Sequence, residues 1–421
     1  MQKLAVKGKK KLSGVIKISG SKNATLPILA ASILNKSKIE ISRVPVVKDV
    51  ITMVELLKHM GSNIKFDLKK NKILIHNQNR KLKTIAPYKL LKTMRAGIIV
   101  LGPLLSKFKK AKVSLPGGCA IGSRPVDIHL FVLKKLGAKI KIKNGYIIAE
   151  TKKGLIGKKI RLPSISVGAT ENALIAASYA QGITYLSNCA CEPEIKDLTN
   201  FLKKMGVKIK WIGNRKIKIS GNQNLRPTSH KVMFDRIEAG TFIIAGALTG
   251  QRLRISGIET KILKKEISTL KKMGVKLKLG KNDIIVFNSK NIKPTNINTQ
   301  PYPGFPTDLQ AQIMVLMTKA NGISRIKENI FEKRFMHVPE LNRMGAKIKI
   351  LGGSSFIYGP QKLNGAEVMA TDLRASVSLV LAGLSAEDKT IINRVYHLDR
   401  GYEKIEETLG KCGPVIKREK N

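Results

Sequence analysis

The hydrophobic positions of this chain repeat on two scales. On the short scale, apolar residues alternate with polar ones over stretches such as Lys139-Ile140-Lys141-Ile142-Lys143, the period of a β-strand with one face exposed. On the long scale, each such stretch follows an amphipathic helical segment that ends in an apolar residue and glycine. The pair stands at Met60-Gly61, Leu136-Gly137, Met205-Gly206, Met273-Gly274, Met344-Gly345 and Cys412-Gly413. These glycines recur roughly every seventy residues, so six repeats account for the chain. A glycine one position past a helix end takes the left-handed backbone that stops the helix.

Each repeat holds another helix upstream. These helices are predicted to begin near Ser21, Tyr88, Ser166, Asp235, Asp308 and Asp372, and the Ser and Asp residues among them can cap a helix. Their bodies are apolar on nearly every side, as in residues 26–34, 173–180, 242–248, 313–317 and 377–384, so they belong in the interior. A short strand follows each, around residues 39–41, 113–115, 183–186, 253–255, 323–326 and 390–392. The repeat reads strand, buried helix, strand, outer helix, strand pair (βαβαββ). Six copies predict an α/β (α+β) protein of two lobes with three repeats each, divided near residues 221–230.

Composition removes several classes. The 421 residues carry 78 Lys and Arg against 28 Asp and Glu, a net charge of +50. The lysines are spread along the whole chain and only 5% of residues are aromatic. With the richness in Ile and Asn, the charge reads as compositional bias, and no nucleic-acid partner is expected. The cysteines, Cys119, Cys189, Cys191 and Cys412, are too few for a disulfide framework and point to a reducing compartment. Cys189 and Cys191 lack a second Cys or His pair at metal spacing, so they read as small apolar residues on one strand face, and no metal is expected. Residues 1–20 lack the apolar stretch of a signal peptide, and apolar runs such as 96–105 are interrupted by Gly and Pro. The expectation is a cytoplasmic protein with no membrane partner.

The stretch 112–127 departs from the repeat. A short strand ending at Leu115 leads into Pro116-Gly117-Gly118-Cys119-Ala120-Ile121-Gly122-Ser123-Arg124-Pro125-Val126-Asp127. Its glycines disfavour regular structure, and Pro125 suits the start of a following helix. A glycine-rich segment with a thiol and a guanidinium reads as a lid that brings a reactive group to an anion. Ser123 stands where a nucleotide P-loop requires Lys, which excludes that loop. If the first two strands of each repeat are parallel, ligands bind at their carboxyl ends. The slots before the buried helices hold Ser21-Lys22-Asn23, Ser166-Val167-Gly168, Asp308, and Asp372 with Arg374, while Arg95 lies further along its own helix. Those before the outer helices hold Cys119, Arg124, Glu332, Arg334 and Arg400. Cations gathered at helix N-termini imply a multiply anionic ligand. The structural alternatives are that Asp308 and Asp372 cap helices, that Glu332 and Arg334 form a surface ion pair, and that His129 and His397 hold structure.

Taken together, these segments resemble the enolpyruvyl transferases. The resemblance runs end to end. It is carried by Ser19-Gly20-Ser21-Lys22-Asn23-Ala24, Lys92-Thr93-Met94-Arg95-Ala96, residues 115–127, Phe305-Pro306-Thr307-Asp308, residues 334–341, Thr371-Asp372-Leu373-Arg374 and His397-Leu398-Asp399-Arg400-Gly401-Tyr402. It implies an inside-out α/β barrel, with 22–229 as a catalytic lobe and 1–21 plus 230–421 as a second lobe completing an interlobe active site. It implies transfer of the enolpyruvyl group of phosphoenolpyruvate to the 3′-hydroxyl of UDP-N-acetylglucosamine, with release of phosphate and no cofactor. That reaction is the first committed step of peptidoglycan synthesis. The sister reaction on shikimate 3-phosphate is the alternative, and the Gly-Gly-Cys lid argues against it.

On the same resemblance, Cys119 is the general acid toward phosphoenolpyruvate and can form a covalent adduct. Asp308 is the base for the sugar hydroxyl, and Lys22 and Arg400 complete the catalytic set. Phosphoenolpyruvate would be bound by Lys22, Asn23, Arg124 and Arg400. The UDP-sugar would be bound by Arg95, Arg124, Pro125, Val126, Asp127, Ile128, Ser164, Ile165, Ser166, Val167, Asp308 and Ile330. Family members often carry Lys at the position of Ser164, so one diphosphate contact is weaker here. If Cys119 holds the reactive thiol, Cys119→Ser abolishes covalent labelling by fosfomycin, an epoxide shaped like phosphoenolpyruvate. Mass spectrometry showing equal labelling of variant and wild type would refute the assignment.

Overall fold

The computed structural model describes residues 2–78, 81–117 and 126–420. They form two compact units: residues 2–19 with 234–420, and the described residues of 20–233. Each has its own apolar core. Within the described residues the strands make six four-stranded sheets, three to a unit.

One plan underlies the sheets. Lys159–Arg161 runs parallel to Ile183–Ser187, which pairs antiparallel with Lys216–Ser220, itself antiparallel to Lys208–Gly213. The helix Val167–Tyr179 joins the first two strands, and Pro193–Lys204 follows the second. This is the βαβαββ repeat. The parallel pair recurs in the other five sheets. The residues that open the buried helices therefore lie at the carboxyl ends of strands, as the ligand argument required.

Strands distant in sequence close the pattern. Thr228–Lys231 supplies the parallel strand beside Ile39–Ser42, and Leu12–Lys17 the one beside Gly250–Ser256. Gln2–Lys7 inserts between Lys389–Asn393 and Ile416–Lys420. The chain passes from one unit to the other after Ser19 and after Met233. These crossings lie a few residues from the expected boundaries at 22 and 230, because all of Thr228–Lys231 is committed to the sheet of Ile39–Ser42.

Burial follows the hydrophobic pattern. The helices Arg236–Thr249 and Leu373–Ser385 are buried on almost every side, and each unit's sheets face such helices with alternate residues. This is the inside-out arrangement, helices within and sheets without. The outer helix Pro193–Lys204 instead leaves Lys196 exposed. All six repeat glycines adopt positive φ, from +84° at Gly274 to +110° at Gly413. The buried helix of the second repeat is not continuous from Tyr88. One turn, Tyr88–Leu91, is followed by the 3-10 segment Arg95–Val100 and the α-helix Leu101–Phe108. Pro103, which lacks an N–H, falls in the first turn of that α-helix, where no N–H is needed. Cys189 and Cys191 are buried in the loop after Ile183–Ser187 rather than on a strand. Burial pushes both thiols up, Cys189 to about 12. Among the described residues no helix is long and apolar enough to cross a membrane.

Glu238 fastens the two crossing segments. The Ser19 N–H and hydroxyl donate to its Oε2 at 2.8 and 2.6 Å, and the Asp235 N–H donates to the Ser19 carbonyl at 3.0 Å. Burial, with the Asp235 charge, raises the Glu238 carboxyl from 4.5 to about 7 despite the Ser19 bonds. A carboxyl with a folded pKa above its unfolded value holds its proton more tightly when folded. Stability therefore falls as pH rises from 4.5 through 7. Glu238→Gln is expected to stabilise the protein at pH 8 by on the order of 3 kcal/mol and to change little at pH 4, as read from urea unfolding.

Candidate active site

Each unit carries one polar group built on the starts of its buried helices. In the C-terminal unit the centre is Asp308, in the 3-10 turn Thr307–Leu309 that opens the helix Gln310–Met317. It is not the N-cap residue of either segment, those being Pro306 and Leu309. Arg334 Nη2 donates to Oδ1 and Arg374 Nη2 to Oδ2, both at 2.7 Å. The two arginines are only 6% and 5% exposed, so Arg334 turns inward instead of standing in a surface ion pair. Asp372 is the residue that caps: its Oδ1 accepts the N–H groups of Arg374 and Ala375 at 2.8 and 3.1 Å, which sets Arg374 in the first turn of Leu373–Ser385.

The clamp is fixed from both sides. Arg374 Nη1 donates to the Tyr402 hydroxyl at 3.3 Å, and that hydroxyl is bonded to Thr241 Oγ1 at 2.8 Å. Gln312 Nε2 donates to Thr241 Oγ1 and to the Asp308 carbonyl at 3.2 and 3.0 Å. On the other side Arg334 Nη1 donates to Thr307 Oγ1 at 3.0 Å, and Thr307 donates to Glu328 Oε2 at 2.9 Å. Glu328 Oε1 accepts the Ile330 N–H at 2.9 Å. Asp308 and Ile330, both expected at the sugar, thus share one network. Burial disfavours charge on Arg374, but Asp308 more than offsets it and the guanidinium pKa rises above its ordinary value.

Arg400 ends the 3-10 segment Val395–Arg400, which packs on the helix Leu373–Ser385. Burial and the Arg400 charge push His397 below its ordinary pKa. Burial also takes His337, near Asp372 and Arg334, down to about 4. Both imidazoles are neutral at pH 7, so the positive charge of this group comes from arginine.

In the other unit Ser21 Oγ accepts the Ala24 N–H at 3.3 Å and starts the helix Lys22–Ala31. Lys22 Nζ lies 3.4 Å from Asp49 Oδ2, with both side chains largely buried, and Asn23 is half-buried beside it. Ser166 Oγ accepts the Ala169 N–H at 3.3 Å, which places Ile165 to Val167 at the start of Val167–Tyr179, with Ser164 exposed just before. Val126 precedes the helix Asp127–Lys135, which Asp127 and Ile128 open, and Arg95 opens Arg95–Val100.

Asn172 ties the helix Val167–Tyr179 to residues 95–108 and to Asp127–Lys135, and sequence reasoning missed it. Its Oδ1 accepts the Gly102 N–H at 2.7 Å, and its Nδ2 donates to the Ile98 carbonyl at 3.3 Å and meets His129 Nδ1 at 3.1 Å. A Cβ on Gly168 would come within 3.2 Å of the His129 ring, so glycine there lets the imidazole close. The available signal was a run of polar residues, Thr170-Glu171-Asn172, inside a helix that is buried on almost every side. His129 therefore holds structure. Cys119, Arg124 and Pro125 lie outside the described residues. Among the described residues no group of three or more His, Cys, Asp or Glu is placed to hold a metal ion.

Residues 6–409 match the family model of EPSP synthase (3-phosphoshikimate 1-carboxyvinyltransferase). The chain belongs to this enolpyruvyl transferase family. Within the family it is similar at full length to proteins named UDP-N-acetylglucosamine 1-carboxyvinyltransferase. That of Pelagibacter ubique is 61% identical, covering 99% of this chain and 100% of the relative. That of Rickettsia bellii is 51% identical over the same shares, and that of Beijerinckia indica 47% over 99% of each. The fold is shared with the enolpyruvyl transferase NikO from Streptomyces tendae, at a TM-score of 0.91 and 24% identity over 99% of each chain. EPSP synthase from Acinetobacter baumannii matches less closely, with a TM-score of 0.76 and 19% identity over 100% of each chain.

Asn172→Ala would strip the buried Gly102 N–H of its acceptor and break the contact with His129 Nδ1. The expected loss of stability is about 1–3 kcal/mol, measured by denaturant unfolding, and an unchanged midpoint would contradict the tie described here.

Proposed function

We propose that this protein transfers the enolpyruvyl group of phosphoenolpyruvate to the 3′-hydroxyl of UDP-N-acetylglucosamine, releases phosphate, and so begins peptidoglycan synthesis in the cytoplasm. The observation that carries the reading is the 61% identity over the full length of the UDP-N-acetylglucosamine 1-carboxyvinyltransferase of Pelagibacter ubique.

The chemistry assigns a task to each group. The sugar oxygen adds to C2 of phosphoenolpyruvate while C3 gains a proton; loss of phosphate and of a C3 proton then restores the double bond. Cys119 supplies the first proton, since a thiol is mostly protonated at neutral pH. Lys22, Arg124 and Arg400 neutralise the phosphate and carboxylate, with Asn23 as a further hydrogen-bonding group. Charges held in place before the reaction stabilise developing negative charge by several kcal/mol. Asp308 receives the hydroxyl proton. The two arginine bonds fix the Asp308 carboxylate in place, and an ionised carboxylate has about four acceptor positions. Ile330, held on the same network, contacts the sugar. Ser164 to Val167 present a helix N-terminus, which suits a diphosphate, and Arg95 and Arg124 to Ile128 complete the nucleotide contacts.

The test is phosphate release from phosphoenolpyruvate by the purified protein, with UDP-N-acetylglucosamine and shikimate 3-phosphate compared as acceptors. Release with the UDP-sugar and none with shikimate 3-phosphate is expected. The opposite pattern would overturn the proposal.

A further inference from the structure

We propose that the unit of residues 20–233 carries a second anion site, apart from the residues assigned to substrate, that takes a compact polyanion of the diphosphate class. A concavity of ≈ 570 Å³ is lined by Arg161, Asn188, Asn214, Arg215 and Lys216 with the strand-end residues Ile212 and Gly213. It holds three cationic side chains and no acidic one.

The sheet builds it. Arg161, Ser187 and Lys216 are in register across three neighbouring strands. Residues in register share a face, so Arg161 and Lys216 stand on one side of the sheet, about 10 Å apart by strand spacing, with Ser187 between them. Both are exposed. Arg215 is fixed, since its Nη1 donates to the Cys189 carbonyl at 3.0 Å. Asn188 is fixed too: its φ is +57° and its Nδ2 donates to the Leu162 carbonyl at 2.9 Å. The place is the carboxyl end of the parallel pair Lys159–Arg161 and Ile183–Ser187, the end of such sheets that receives ligands.

Two features choose the ligand. Guanidinium groups bind phosphate oxygens in pairs, which favours phosphate over chloride or a single carboxylate. No aromatic residue lines the concavity, so no base can stack, and the span suits two linked phosphates better than a polymer.

The chain's single tryptophan, Trp211, precedes the lining residue Ile212 on the strand Lys208–Gly213 and serves as reporter. Inorganic pyrophosphate is titrated against the full-length protein, following Trp211 emission and calorimetric heat, with sulfate at matched ionic strength alongside. The double variant R161A/K216A is titrated in parallel, its melting temperature confirming the fold. The expected result is a saturable pyrophosphate response at least tenfold tighter than that of sulfate, and weakened at least tenfold in the variant. An identical response to sulfate, an unchanged affinity in the variant, or no saturable response in the wild type would each overturn the proposal.

Discussion

One carboxylate shared between two buried guanidiniums governs the polar centre of the C-terminal unit. Burying a guanidinium costs several kcal/mol unless a partner of opposite charge is held against it. Asp308 serves Arg334 and Arg374 at once, one oxygen to each. Asp308 offsets the charge of both guanidiniums, and Glu328, reached through Thr307, adds a further carboxylate to the network. The secondary bonds through Tyr402, Thr241, Gln312, Thr307 and Glu328 stop the arginines from swinging out to water. A centre of this kind is ordered before the ligand arrives, which is what electrostatic catalysis requires.

The repeat explains how such a centre arises from ordinary local rules. A parallel strand pair sends the chain into a buried helix whose first residues lie at the ligand-binding end of the sheet. The capping residue there also sets its neighbours in place. Ser21 places Lys22, Ser166 places Val167, and Asp372 places Arg374. Stopping a strand, starting a helix and presenting a side chain at that end of the sheet are the same event at these positions.

Legibility in the sequence tracked how local each cause was. The helix-ending glycines and alternating strands depend on a few neighbouring residues, and all six glycines adopt the backbone they were read to need. Asp308 and Asp372 show the limit. Both are aspartates at the opening of a buried helix, yet one caps and the other is an ionic hub. The difference is made by Arg334 and Arg374, 26 and 66 residues away in sequence. Asn172 was missed for the same reason, since its partners lie 43 to 74 residues distant. Cys189 and Cys191 were read correctly as apolar and incorrectly as strand, because burial is set by composition and the strand's end by pairing at Ser187. The family resemblance bridged what periodicity could not, and the full-length matches support it.

The most direct test of the central claim is a double-mutant cycle on stability with Asp308→Asn, Arg374→Gln and the pair, each measured by urea unfolding at pH 7. Groups that depend on one another in a buried ionic bond should show a coupling free energy of about 2 kcal/mol or more. Additive effects, with a coupling below about 0.5 kcal/mol, would mean that the arginines do not rely on Asp308, and the account of the centre would be wrong.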